Sequence, residues 1–346
     1  MVLTLIECSL VLGAPNESQA HDSRGAALAN KGDFDRAIAE FDLAIRLDPK
    51  NASAYAHRGA SYAQKSEYDR ALSDLNEALR LNPNFESALA NRALVLSQKG
   101  NDEGALSDLD QLSRLNPRNP DPYFLRGAIY MEKRNFDRAI AELEKGLVID
   151  PKNADGLTNR AVAFYETKQR PRAMADFASA IQAAPASDTP YRVRGDYYHD
   201  EGRLDLALAD LSQAVKLNPR RAQNYASRGD IWCEKGNLSQ ALSDYDQAIK
   251  IDANSPFGFQ GRGIVHRARG EFTQAIEAFS EVVRRFPTFL KAYLERGLAY
   301  EAARNYPAAR ADYQQAASMS PLFYIGASVS MSAKGSISIT TTCCGW

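Results

Sequence analysis

Arginine occurs at positions 24, 58, 92, 126, 160, 194, 228, 262 and 296, nine times at an unbroken spacing of 34 residues. A fixed period of this length constrains the fold more tightly than composition does. It marks supersecondary units that cannot bury their apolar faces alone and stack to do so. Other positions fall into phase with the arginine. One residue later stands glycine or alanine, from Gly25 to Gly297. Thirteen later stands alanine, from Ala37 to Ala309, and twenty-five later proline in eight of nine units, Ala253 being the exception.

Counted from each arginine, apolar or small residues recur at −3, +1 and +4, the stripe spacing of an amphipathic helix. A second stripe recurs at +13, +17 and +20, as Ala37, Phe41 and Ala44 in the first unit. A polar turn separates the stripes, often with glycine (Gly32, Gly100, Gly202, Gly236, Gly270). The proline at +25 cannot continue a helix and ends the pair. Each unit therefore reads as a helical hairpin.

The unit resembles the tetratricopeptide repeat. In the second unit the resemblance is carried by Tyr55, Gly59, Tyr62, Ala71, Leu75, Ala78 and Pro83. The fourth matches through Tyr123, Gly127 and Tyr130, and the ninth through Tyr293, Gly297 and Tyr300. One departure is consistent: arginine precedes the glycine where the family usually has an aliphatic residue. The resemblance implies an all-α fold, a right-handed superhelical α-solenoid of stacked antiparallel helix hairpins. The array spans 18–321, in windows 18–51, 52–85, 86–119, 120–153, 154–187, 188–221, 222–255, 256–289 and 290–323. Residues 1–17 read as an N-terminal extension, and 324–346 as an irregular tail.

The arginine falls inside the buried stripe, since −3, 0, +1 and +4 share one helix face. A buried guanidinium cannot deprotonate and needs an anion. At +16, on the second helix's own stripe, eight of nine units carry an acid. The expected ion pairs are Arg24–Glu40, Arg58–Asp74, Arg92–Asp108, Arg126–Glu142, Arg160–Asp176, Arg194–Asp210, Arg228–Asp244 and Arg296–Asp312. Arg262, opposite Ala278, must find another acid, a carbonyl or water. An arginine ladder for an acidic ligand is the weaker reading, because both facing stripes carry matched partners.

Lys plus Arg is 42 against 43 for Asp plus Glu. That argues against nucleic-acid binding or membrane attachment driven by bulk charge. No apolar run approaches the roughly 18 residues of a membrane span. Residues 1–14 resemble a signal peptide only weakly, lacking a leading Lys or Arg and interrupted by Glu7. A cytoplasmic location is expected, with export to the periplasm the alternative if that segment is a signal. Cys8, Cys233, Cys343 and Cys344 form neither a disulfide framework nor a zinc spacing.

No catalytic motif is present: no phosphate-cradling G-x-x-x-x-G-K-[ST], no H-E-x-x-H and no G-x-S-x-G elbow. Hairpin packing accounts for all nine units, so no catalytic residues and no cofactor are expected. Asp196, His199 and Asp200 lie together on one helix, with Asp230, Cys233 and Glu234 in the corresponding places of the next. Stacking would bring His199 beside Cys233, a set that could serve a transition metal. Ligand spacing alone is weak evidence, and polar groove residues without a metal are the preferred reading.

On the first helix, the side opposite the buried stripe carries offsets −5, −2, +2 and +5. The family resemblance implies that this side lines a concave groove suited to a peptide or helix of a partner protein. Its central residues are Asp121, Phe124, Met131, Asp155, Tyr165, Arg192, Asp196, His199, Asp230 and Cys233, with Phe124, Met131, Tyr165 and Arg192 as anchors. The family's clamp on a C-terminal carboxylate uses Lys and Asn where this chain has Asp22, Ala56, Ala90, Ala26 and Ala60, so that clamp is absent. At +6 the central units carry Glu132, Glu166, Asp200 and Glu234. Carboxylates in a helix's last turn oppose its dipole, so stability does not explain the row. The expected function is a non-catalytic interaction scaffold or adaptor whose groove takes a basic segment. The alternative is a regulatory or adaptor segment of a multi-component enzyme whose catalytic part lies elsewhere. The tail lacks the helical stripe, which predicts poor order beyond residue 325. It also predicts an incompletely covered last hairpin open to self-association.

Overall fold

The computed structural model describes residues 17–319. The signal-like segment, the C-terminal tail, Cys8, Cys343 and Cys344 lie outside the described residues. The chain divides at Asp176 into two compact units, and every described element is helix, turn or bend. The first unit holds four complete hairpins: α1 (Glu17–Ala29) with α2 (Phe34–Leu47), α3 (Ala52–Gln64) with α4 (Tyr68–Leu81), α5 (Glu86–Gln98) with α6 (Asp102–Leu115), and α7 (Asp121–Glu132) with α8 (Phe136–Ile149). Helix α9 (Ala154–Glu166) and the start of α10 (Arg170–Ala183) follow. The second unit opens in α10 at Phe177. It continues as α11 (Thr189–Asp200) with α12 (Leu204–Leu217), α13 (Ala222–Glu234) with α14 (Leu238–Ile251), α15 (Pro256–Ala268) with α16 (Phe272–Arg285), and α17 (Leu290–Ala302) with α18 (Tyr306–Met319).

Each hairpin turns through one left-handed residue at offset +8. Five turns use glycine, Gly270 among them with φ of 75°, but Ser66, Arg134, Lys168 and Arg304 take the same conformation at φ of 61°, 54°, 62° and 60°. An L side chain is disfavoured there. Several second helices start on a side-chain cap, as Asn101 accepts from the Gly104 amide at 3.0 Å and Asn135 from Arg138 at 3.3 Å, whereas α4, α12 and α16 have none. Such a cap contributes about 1 kcal/mol.

The core follows the two stripes. All nine residues at +1, +13 and +20 are buried. Small residues are needed at +1 because the helices cross closely: a Cβ on Gly25 would lie 2.5 Å from a ring carbon of Phe41. A further buried position is +3. Val95, Ile129, Ile231 and Val265 fill it. Ile129 joins Leu106 and Leu109 of the preceding hairpin, and Val265 joins Leu242 and Tyr245. This is the joint between hairpins, so its partners belong to another repeat and leave no periodic trace within one helix.

The arginines occupy that joint as well. Arg58 donates through Nε and Nη2 to Asp74, both at 2.7 Å, and through Nη1 to Asp42 of the preceding hairpin at 2.5 Å. Arg92 repeats the arrangement with Asp108 and Asn76, and Arg296 with Asp312 and Ser280. Arg160, Arg194 and Arg228 each hold Asp176, Asp210 and Asp244 by paired bonds of 2.7–2.9 Å. Arg126 reaches Glu142 at 2.6 Å and Asp110 at 2.7 Å. Arg24 departs from the expected burial: its side chain is 58% exposed, with one 3.2 Å bond to Glu40. Arg262 finds Asp246 of the preceding hairpin, at 3.7 Å. A second row of bridges joins hairpins at the surface, Lys65 to Asp35 and Lys235 to Asp205 at 2.7 Å each.

The outer face of the last hairpin is more polar than that of the inner ones. Inner second helices carry aliphatic residues at +14 and +21, such as Leu72 and Leu79, which pack with Leu89 and Val95 of the next hairpin. In α18 these places hold Arg310 and Ala317, and Gln314 between them is exposed. A polar outer face suits a terminal unit.

Candidate functional site

Neighbouring first helices touch within each unit, and this contact corrects the expected groove face. Offset −2 is largely inside it: Ala56, Thr158, Ala226 and Gln260 are buried. Asp22 at this offset is also buried and receives His57 of the next hairpin at 2.8 Å. Phe124, expected as an open anchor, is wedged where glycine leaves room. A Cβ on Gly146 or Gly156 would approach its ring within 2.6 and 2.5 Å. The face that water reaches is therefore narrower, built from −5, +2, +5 and +6.

In the first unit, Asp121, Asp155 and Glu132 are exposed, while Met131 and Tyr165 are half-buried. Arg170 lies over the Tyr165 ring, 5.6 Å from its centroid. Glu166 has the Arg134 guanidinium at 3.5 Å. Lys133, a sequence neighbour of Glu132, turns away to Asp102 at 2.8 Å and does not neutralise the rim.

The second unit concentrates ionisable groups. Arg192 donates to Asp196 at 3.0 Å, one turn along α11, while its buried Nε has no hydrogen-bond partner. Burial raises the Asp196 carboxyl, opposed by the Arg192 charge and a Ser227 hydrogen bond. Tyr245 donates its phenol to Asp230 at 2.6 Å. Crowding by surrounding protein nevertheless pushes Asp230 up to about 6, although water still reaches the carboxylate. Asp230 also feels the Lys291 charge, two hairpins on. His199 meets Glu234 through Nε2, and Asp200 is exposed at the end of α11. Lys235 turns back to Asp205.

Cys233 packs against the cluster of Ala241, Tyr245 and Val265, and His199 meets Glu234. Among the described residues no group of three or more His, Cys, Asp or Glu side chains is arranged to hold a metal ion. No described helix is long and apolar enough to cross a membrane. His21 and His266 lie against Glu40 at 2.7 Å and Glu271 at 2.6 Å, away from this face.

Family models described as tetratricopeptide repeat match residues 52–85, 120–153, 192–256 and 261–322, and one described as TPR repeat matches 25–66. No curated protein matches the sequence. Among solved structures, a tetratricopeptide repeat protein from Parabacteroides merdae aligns with a TM-score of 0.60 at 21% identity, over 72% of this chain and 98% of its own. A chain of the APC/C hetero-tetramer Cut9-Hcn1 aligns at 0.58 and 13% identity, over 90% and 76%. The pilF protein of Pseudomonas aeruginosa aligns at 0.52 and 19% identity, over 59% and 93%. At these identities the likeness is one of fold.

Proposed function

This chain belongs to the tetratricopeptide repeat family, and we propose that it is a non-catalytic interaction scaffold whose first-helix face binds a basic segment of a partner protein. The carrying observation is Asp230. Its carboxyl accepts the Tyr245 phenol at 2.6 Å on a face open to water, at an offset where seven of nine repeats have Ala, Val, Leu or Ile, so packing does not call for the charge. Asp196 shares the offset. With Asp200, Glu234 and Glu301, five carboxylates of this face meet three cations, Arg192, Arg267 and Lys291. A basic ligand would relieve the excess and be steered by it.

The experiment compares synthetic basic, neutral and acidic peptides of one length by fluorescence anisotropy at low and physiological salt. The basic peptide is expected to bind, more weakly as salt rises and through a slower on-rate. Replacing Glu166, Asp200 and Glu234 by Gln should lower both affinity and salt sensitivity. Unchanged values in a folded variant would retire the electrostatic mechanism.

A further inference from the structure

Offset −5 is polar in eight repeats, running Gln19, Ser53, Ser87, Asp121, Asp155, Thr189, Gln223 and, in the ninth, Lys291. The eighth repeat has Phe257, and its ring is 48% exposed in the first turn of α15. The change is not isolated. Offset +2 reads Asp196 and Asp230 on α11 and α13, then Ile264 and Leu298 on α15 and α17. Ile264 and Leu298 are half-buried, and Ile264 rests on the Phe279 cluster of its own hairpin. At +2 the face thus changes from carboxylate to apolar midway along the second unit, with Arg267 and Glu301 beside it at +5. Packing within the hairpins accounts for Ile264 but requires neither the acids at +2 nor a phenylalanine at −5. At +2 the acids are the exception, since other repeats have Ala26, Ala60, Leu94, Ala128 or Val162 there, and Phe257 is the one apolar residue at −5.

We propose that the second unit reads a two-part partner segment, basic residues lying against Asp196 and Asp230 and contiguous apolar or aromatic residues against Phe257 and Leu298. This rests on the binding reading above and specifies its ligand. Charge complementarity selects the basic half. The apolar half follows because an aromatic side chain surrounded by a polar rim is the pattern of a binding hot spot. Helix axes about 8–10 Å apart make four first helices span roughly 30 Å. An extended segment of about nine residues covers that distance. The order of the two halves fixes how the segment lies, since a wholly basic ligand would leave Phe257 in water.

The test uses the full chain and two synthetic peptides of about twelve residues. One joins a Lys/Arg half to a Leu/Phe half, and the other carries the same basic half joined to Gly/Ser. The two-part peptide is expected to bind about tenfold more tightly. Phe257→Ser and Leu298→Ser should bring it down to the level of the basic-only peptide without changing that peptide's affinity. Asp230→Asn should weaken both peptides. Phe257 is half exposed, so Phe257→Ser is expected to fold, and thermal unfolding checks each variant. Equal affinity of the two peptides, with Phe257→Ser silent, would overturn the two-part ligand and leave the basic-segment reading standing. Binding of neither peptide would overturn both.

Discussion

The guanidinium of Arg126 donates to Glu142 of its own hairpin at 2.6 Å while its Nη1 holds Asp110 of the preceding hairpin at 2.7 Å. One side chain therefore sets an angle within a hairpin and the spacing to the next. Only 8% of the Arg126 side chain is exposed, so water cannot replace either bond. Losing Arg126 costs about 1.5–3 kcal/mol in charge-assisted hydrogen bonds. That is less than a buried charge left unpaired, because Lys145 stays on Glu142 at 2.6 Å and Asp110 is open to water. Arg126→Ala is expected to destabilise by that order, and the double change Arg126→Leu with Glu142→Leu by distinctly less. Arg24→Ala, at an exposed pair, should cost below about 1 kcal/mol. Thermal and urea unfolding rank the three, and equal losses for Arg24 and Arg126 would refute the argument.

The eighth hairpin offers the converse experiment. Arg262 lacks the acid that its counterparts hold, since Ala278 stands in that place. Ala278→Asp should supply the paired hydrogen bonds that Arg228 makes to Asp244 at 2.7 and 2.8 Å. Charge-assisted bonds of this geometry outweigh the cost of burying a short carboxylate beside an existing cation by about 1 kcal/mol. A raised Tm is expected. A lowered Tm would show that the eighth hairpin is packed for alanine.

Four hairpin turns carry strain that glycine would remove. Arg134→Gly and Lys168→Gly, at φ of 54° and 62°, are each expected to stabilise by about 0.5–1 kcal/mol net of the greater chain entropy of glycine. Gly270→Ala should destabilise by about 1 kcal/mol. Nothing lies within 4 Å of a Cβ built on Gly270, so the effect isolates backbone conformation from packing. Chemical denaturation of the three variants measures it.

Asp230 makes the second unit sensitive to pH in a defined direction. Its carboxyl is raised from 3.8 to about 6 by the protein crowded around it, although water reaches the residue. Between these values the folded chain holds a proton that the unfolded chain has released, so stability falls as pH rises from about 4 to 6 and then stays level. Asp230→Asn should therefore raise Tm at pH 7.5 and change it little at pH 4. Affinity for a basic peptide should drop as pH falls below about 6, when the carboxylate is neutralised. A Tm difference that grows toward low pH would contradict the assignment.

The unit length, the two helices, the turn and the closing proline were legible because each belongs to a single hairpin and recurs in register. The arginine–acid geometry was legible for the same reason: both partners lie sixteen residues apart in one unit. The binding face was read less well. Phe124 looked exposed by offset, but the glycines that receive its ring, Gly146 and Gly156, belong to α8 and to the next hairpin. The signal was present in the two departures from larger residues, visible only once a neighbour is known. The aromatic outlier Phe257 was equally available, as the one apolar residue at −5.

A period of 34 residues determines by itself that this chain forms hairpins, because amphipathic spacing and turn chemistry act over one or two helical turns. It does not determine how hairpins meet. The second acceptor of Arg58, the burial of +3 and −2, and the bridges from Lys65 and Lys235 all reach into the preceding repeat. Tertiary structure decides these contacts, since the distance between helices is set by the side chains that fit between them. It also decides the state of Asp230, whose identity is written in the sequence but whose raised carboxyl comes from the protein packed around it.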